Sequence, residues 1–376
     1  MFTGREMLSG NQVLIANREG IIADMVNEPD AGDDIEYLEG ILAPGFINCH
    51  CHLELSHMKG LIATGSGLVD FIYKVVTERS VDEELILAAI DAAEKEMIRN
   101  GIVAVGDICN NAITVTQKVK GHLQYHNFIE VTGFIPAVAE KRFQSMYEIF
   151  RGFEEALPAN SIVPHAPYSV SPQLFKRMND LAGNRLLTIH NQEIADENAL
   201  FENGTGDFLR MYAKMGIDMS FFRPTGQSAL QSWLPHFNRD QTLILVHNVA
   251  TSERDMEFAM QQVSTAGIKT YFCLCPNANL YISNELPRLP LFTDVHEQMV
   301  LGTDSLASNQ QLSILSEMNT LKKYFPALKQ ESLLTWATSN GAKALGIENR
   351  YGSFEKGKQP GVVLIDDAFD KVARVI

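Results

Sequence analysis

Basic charge is scarce in this sequence. Lysine and arginine number 31 against 46 aspartates and glutamates, a formal net charge of −15. A surface of that sign offers no broad basic patch, which excludes nucleic acid and anionic membrane as expected partners. Cysteine is scarce too: Cys49, Cys51, Cys109, Cys273 and Cys275 are the whole supply. An odd count without framework spacing excludes a disulfide-built scaffold and fits a reducing cytoplasm. Long apolar runs are missing. No stretch approaches the ~18 unbroken apolar residues of a membrane span, and the first twelve residues hold no run of signal-peptide length. No internal repeat, low-complexity tract or long linker interrupts the chain. The expectation is a soluble cytoplasmic protein.

What is present is enough for a large core. The 376 residues, 45% hydrophobic and 20% charged, fit a barrel of roughly 250–300 residues plus an accessory piece. Short β-rich pieces open the chain at Gln12–Ala16, Ile21–Met25 and Glu36–Leu42, parted by turns of Gly, Asp and Pro. The run Gly361-Val-Val-Leu-Ile-Asp near the C-terminus has the same character. Both ends are therefore expected to build one small β-sandwich domain, residues 1–42 with 346–376.

Residues 43–345 alternate between short apolar runs and helical stretches. The expected strands are Gly45–Asn48, Val103–Gly106, Gln124–Val131, Ile162–Pro164, Leu186–Ile189, Leu243–Val246, Lys269–Leu274 and Met299–Gly302. Helices are expected over Glu83–Arg99, Pro172–Leu181, Ser252–Ala266 and Leu312–Tyr324. Eight strands interleaved with helices predict an α/β (β/α)8 TIM barrel. A doubly wound open sheet is the alternative, but no Gly-rich phosphate loop follows the first run.

Polar residues recur where these runs end. His50 and His52 close the first, His165 the fourth, His190 the fifth and His247 the sixth; Asp304 follows the eighth. In a barrel the C-terminal strand ends form one face, so distant segments would converge on one pocket. His50-Cys51-His52 puts two imidazoles on one side of a strand, a spacing able to chelate a divalent ion. Alone, the pair reads more simply as two ordinary histidines at a strand end. Glu193 has a plainer reading as a surface glutamate near a helix N-terminus. His165, between prolines, has one as a structural histidine at a crowded turn.

These segments together resemble the amidohydrolase superfamily. Pro44-Gly45-Phe46-Ile47-Asn48-Cys49-His50-Cys51-His52-Leu53-Glu54 is similar to its first-strand metal motif. Ile189-His190-Asn191-Gln192-Glu193 resembles the His-x-x-Glu of its deaminase branch. Leu245-Val246-His247-Asn248 resembles the strand-six histidine, and Leu301-Gly302-Thr303-Asp304-Ser305 the strand-eight Gly-Thr-Asp. Val163-Pro164-His165-Ala166-Pro167-Tyr168 resembles a segment of deaminases acting on adenosine-type compounds. The resemblance spans nearly the whole chain, although the opening is short beside a family whose first β-strand starts a few residues earlier.

The resemblance implies a site. His50, His52, His190 and Asp304 would hold one divalent metal, zinc or alternatively iron(II). Two-metal members use a lysine on the fourth strand, and neither Gln124–Val131 nor Ile162–Pro164 contains one. Glu193, His247 and Asp304 would be catalytic, with a fifth-ligand role for His247 also open. Glu193 would protonate a ring nitrogen, while Asp304 and His247 take or steer the proton of the attacking water. His165, Glu78, Arg79 and Arg142 would bind substrate: Glu78 as the acidic residue that fixes a ribose, the arginines as partners of a carboxylate. Solvated surface arginines are the plain alternative.

The stretch His190-Asn-Gln-Glu193…Glu197-Asn198…Phe201 is most similar to the aminodeoxyfutalosine deaminases of menaquinone synthesis, ahead of enzymes of S-adenosylhomocysteine, methylthioadenosine or adenosine. The expected partner is thus a small-molecule substrate, with a homodimer as the one assembly considered. Other readings are a guanine or triazine deaminase, a chlorohydrolase, a cyclic amidase, or a non-catalytic binding protein on the same fold. A zinc deaminase built on Pro-Cys-x-x-Cys does not fit: Cys273 and Cys275 stand one residue apart and Pro276 follows them.

Overall fold

The computed structural model describes residues 1–8, 10–181, 183–237 and 240–376. Three short strands come first: β1 (Gln12–Ala16), β2 (Ile22–Asn27) and β3 (Ile41–Pro44). Eight follow in the long central region. They are β4 (Phe46–Cys51), β5 (Ile102–Cys109), β6 (Gln124–Val131), β7 (Asn160–Pro164), β8 (Leu186–Asn191), β9 (Thr242–His247), β10 (Lys269–Leu274) and β11 (Met299–Leu301). The last two are β12 (Val362–Ile365) and β13 (Val372–Arg374).

Every residue of β4, β5 and β11 is buried, as parallel strands covered on both faces require. Strands β4-β5-β6-β7 and β8-β9-β10-β11 run as two four-stranded parallel sheets. Side chains and strand ends close both seams. Between β7 and β8, Asn184 accepts from Ile162 N at 3.1 Å and donates to Ile162 O at 2.8 Å, and His190 N donates to His165 O. Between β11 and β4, Thr303 N and Asp304 N both donate to His50 O. Gly302 permits that approach: a Cβ there would stand 2.8 Å from His50 Cβ and 2.9 Å from Cys273 Sγ. The result is the expected (β/α)8 barrel, not an open sheet.

The outer helices follow their apolar stripes. Glu83–Arg99 buries Ile90, Ala93 and Met97. Glu253–Ala266 starts at a capping box in which Ser252 and Asp255 satisfy each other's backbone N–H. Two helices absent from the sequence expectation, Leu68–Glu78 and Phe208–Lys214, stand over the barrel mouth. Asp70 joins them, accepting from Arg210 at 2.8 Å and Lys214 at 2.9 Å.

Strands from both chain ends form a small β domain. β3 pairs with β12 and β12 with β13, all antiparallel, while β1 pairs with β2. Ile22, Phe354 and Val362 form its buried centre, packed by Leu14, Ala16 and Leu42. One expectation fails here. The strand expected over Glu36–Leu42 begins only at Ile41. Gly40 takes φ 123°, and Tyr37 before it is 73% exposed with no sheet to cover it. The alternating pattern had no apolar partner. Among the described residues no helix is long and apolar enough to cross a membrane.

Candidate metal centre and its cavity

β4 delivers His50 and, one step past its end, His52; β8 delivers His190; the turn after β11 delivers Asp304. Their ligand atoms all lie within 4.8 Å of one another. His52 Nε2 is 3.1 Å from His50 Nε2, 3.3 Å from His190 Nε2 and 3.3 Å from Asp304 Oδ1. Four ligands placed tetrahedrally ~2.0–2.1 Å from a zinc ion stand about 3.3 Å apart. Three imidazole nitrogens this close can share one cation, each ring turning a lone pair toward it. His190 illustrates this. Its Nδ1 donates to His165 O at 2.8 Å, which leaves Nε2 bare and aimed at the cluster. Ser308 Oγ donates to Asp304 Oδ2 at 2.5 Å and turns the other oxygen toward the histidines.

The protonation states suit ligation. Burial pushes His52 down to about 3 and His190 well below its usual value. Burial works to raise Asp304, but the His50 hydrogen bond and the neighbouring histidines hold it below the usual carboxylate range. Neutral imidazoles with an ionised carboxylate are what a divalent cation binds. The residues therefore fit a zinc-type ion. His52-Leu53-Glu54 is a His-x-Glu triplet, but the buried, free Cys273 and Cys275 contribute no sulfur to this cluster.

His247 and Glu193 flank the cluster. Asn279 Nδ2 donates to His247 Nδ1 at 3.0 Å, so Nε2 carries the hydrogen, and it faces Glu193 Oε2 at 3.6 Å. Burial lowers His247 to about 3. Burial also drives Glu193 well above a normal carboxyl, with Asp304 and Glu197 adding to the effect. Glu197 shapes the turn that carries Glu193, accepting from Gln192 N at 3.0 Å and Glu193 N at 2.7 Å. Gln192, His247, Asn248 and Asp304 all adopt positive φ, backbone strain gathered where the strands end at the site.

A cavity of about 400 Å³ opens from this cluster. Glu193, His247, Asp304, His165 and His190 line its deep end; Phe71, Val75, Phe134, Met211, Tyr212 and Ile217 line its apolar wall. Arg79 and Arg142 also face it, and neither guanidinium has a hydrogen-bond or ion-pair partner among the described residues. Glu78 stands apart: it is exposed at the end of its helix and does not line the cavity. Sequence reading missed Glu130, Asn110 and Asn279. Each lies inside an ordinary stretch with no spacing to distinguish it.

The amidohydrolase family profile matches residues 41–376. Among curated relatives, an adenosine deaminase of Helicobacter pylori is 28% identical over 325 residues, covering 85% of this chain and 77% of that protein. An aminodeoxyfutalosine deaminase of Nitratiruptor sp. is 26% identical over 339 residues, covering 87% and 79%. The crystal structure of Helicobacter pylori aminofutalosine deaminase with methylthio-coformycin superposes with a TM-score of 0.76 at 20% identity, covering 97% of this chain and 95% of that one.

Proposed function

The chain belongs to the amidohydrolase family, and from that premise we propose that it is a zinc-dependent deaminase of an adenosine-type compound. It is a hydrolase acting on carbon–nitrogen bonds other than peptide bonds. One observation carries the deaminase reading. Glu193 is a carboxyl only 4% exposed, 3.6 Å from His247 and beside the three-histidine, one-aspartate cluster, where burial favours its protonated form. A protonated carboxyl there can donate to a ring nitrogen as water adds to the neighbouring carbon.

His50, His52, His190 and Asp304 would hold the metal, whose contribution when bound would be to make a water acidic near neutral pH. The chain's own groups do the rest. His247, fixed as the Nε2–H tautomer by Asn279, donates toward the oxygen that becomes negative. Asp304 accepts a proton from the attacking water. Glu193 gives its proton to the ring nitrogen, regains one from the newly added hydroxyl and passes that one to the departing amine, so ammonia and a carbonyl ring leave; the proton held by Asp304 then restores Glu193.

Within that class the proposed substrate is aminodeoxyfutalosine, which would put the enzyme in menaquinone synthesis. An apolar wall with two unpartnered guanidiniums suits a nucleoside whose far end is an aryl carboxylate. Arg79 and Arg142 are its proposed partners, and His165 is proposed to touch the purine. Ammonia release from aminodeoxyfutalosine, S-adenosylhomocysteine, methylthioadenosine and adenosine, followed by the ultraviolet shift of the ring, tests this. Preference for the first is expected. A flat response to all four moves the substrate outside the adenosine class. Glu193→Gln should keep the metal and lose about 10²–10⁴-fold in kcat; near-normal turnover would remove Glu193 from the mechanism.

A further inference from the structure

We propose that Glu130 is a substrate-binding residue that accepts a hydrogen bond from a sugar hydroxyl of the nucleoside, a role that rests on the adenosine-type reading above. Glu130 is the penultimate residue of β6. It is only 4% exposed, yet it lines the cavity beside His165 and His190.

Its side chain is held in one orientation. Asn110 Nδ2 donates to Glu130 Oε2 at 3.1 Å, and Asn110 N in turn donates to Glu54 Oε2 at 3.0 Å. Glu54 is itself buried, so the chain of contacts is anchored at its far end. The other oxygen, Glu130 Oε1, has no partner. The nearest candidate is His190 Nδ1 at 3.7 Å, but that N–H is already given to His165 O at 2.8 Å. Arg79 acts on its charge through space, but neither Arg79 nor Arg142 is within ion-pair distance of it among the described residues. A buried acceptor without a donor bears its full desolvation penalty, so a missing donor is expected to come from whatever fills the cavity.

The chemistry of an adenosine-type ligand narrows that donor. The ring nitrogens of neutral adenine are acceptors. Its one strong donor is the exocyclic amine, and deamination requires that group at the metal cluster, facing Glu193. The remaining donors are the sugar hydroxyls. On the protein side, the carboxylates lining the cavity are Glu130, Glu193 and Asp304. The last two belong to the reacting end, and Glu78 lies outside. Glu130 is thus the carboxylate left to pair with the sugar.

The test compares adenosine with 2′-deoxyadenosine and 3′-deoxyadenosine on the zinc-loaded full chain, wild type and Glu130→Ala, with zinc content measured for both. In the wild type, loss of the contacted hydroxyl should lower kcat/KM about 10- to 100-fold, mainly through KM. In Glu130→Ala, adenosine itself should fall by a similar factor at unchanged zinc content, and the discrimination against the deoxy analogue should nearly vanish. Wild-type enzyme that deaminates all three equally overturns the proposal while the deaminase reading stands. Discrimination unchanged in Glu130→Ala, or a uniform loss accompanied by zinc loss, overturns it too, by assigning Glu130 to His190 instead of to substrate. No deamination of any adenosine-type compound removes both readings.

Discussion

His247 sits in the left-handed region at φ 75° and presents one nitrogen to Asn279 and the other to Glu193. Which nitrogen carries the hydrogen decides whether the ring can donate at the reacting oxygen, and Asn279 makes that choice. Asn279→Leu leaves no donor for Nδ1 and lets the tautomer flip. We expect kcat to fall about 10- to 100-fold, with metal content unchanged. Steady-state kinetics beside metal analysis checks this, and an unchanged kcat would show that His247 is oriented by something else. This dependence was not legible in the sequence. A histidine of the site declares itself by its spacing, as His50 and His52 do, or by closing an apolar run, as His190 and His247 do. The residue that sets its tautomer need only be near in space, and Asn279 comes from the helix Pro276–Ser283 that follows β10. The same holds for Glu130 and Asn110, which meet across two strands. Glu78 shows the converse: its place after the first strand suggested a substrate contact, but the helix that carries it ends by pointing it to solvent.

Elements were easier to read. Gln124–Val131 and Lys269–Leu274 are strands with the expected bounds; the second closes on the apolar run Tyr271–Leu274, while the first keeps its bounds although Gln124, His126, Asn127 and Glu130 interrupt its apolar pattern. Leu312–Tyr324 starts two residues late, at Ile314, because Ser313 caps it by accepting from Ser316 N. The mouth helices escaped notice because Leu68–Glu78 buries residues against a ligand cavity and its neighbours, not against the barrel. Two element-level contacts lend themselves to tests. Gly302→Ala would push a methyl into His50 and Cys273 where β11 meets β4. Overpacking of this kind costs about 1–3 kcal/mol, and because His50 is the group displaced, metal affinity should drop more than stability does. Metal titration paired with thermal unfolding separates the two; a normal metal affinity would mean that the strand seam adjusts. Behind the barrel wall, fully buried Lys118 pairs with Asp107 at 2.5 Å, and Asp107 accepts from Leu53 N, the residue after His52, at 2.8 Å. Lys118→Met strands a buried carboxylate, so a loss of about 3–5 kcal/mol is expected in urea unfolding. A loss under 1 kcal/mol would show that Asn127, Cys109 or water compensates.

Across the whole molecule, buried carboxyls hold the loops of the barrel mouth, and they tie stability to pH. Glu197 ties down the turn after β8. Glu317 accepts from Asn277 N at 2.9 Å, Asn277 Nδ2 at 3.0 Å and Asn309 Nδ2 at 2.8 Å, joining the loops after β10 and β11. Burial raises both to about 8 from an ordinary 4.5, despite the hydrogen bonds that pull the other way. Glu54 and Glu130, likewise through burial, rise to about 7. Between the unfolded and folded values the native state holds protons that the unfolded chain has released, so stability falls as pH rises. The buried histidines act in the opposite sense. His52 and His247, lowered to about 3, and His165, lowered to about 4, make stability rise with pH, but only up to their unfolded value of 6.5. Above 6.5 that rise is spent while the carboxyl slope continues to about 8. The metal-free protein should therefore lose stability between pH 6.5 and 8, on the order of 1 kcal/mol per pH unit for each carboxyl still protonated. Chelator-treated protein is the right material, since metal affinity grows with pH and would mask the trend. Thermal midpoints should decline across that window, and Glu317→Gln, which keeps the side-chain shape without a titrating proton, should flatten the decline. A midpoint that climbs from pH 6.5 to 8 would mean that Glu197 and Glu317 are ionised in the native state, held by their amide donors against the cost of burial.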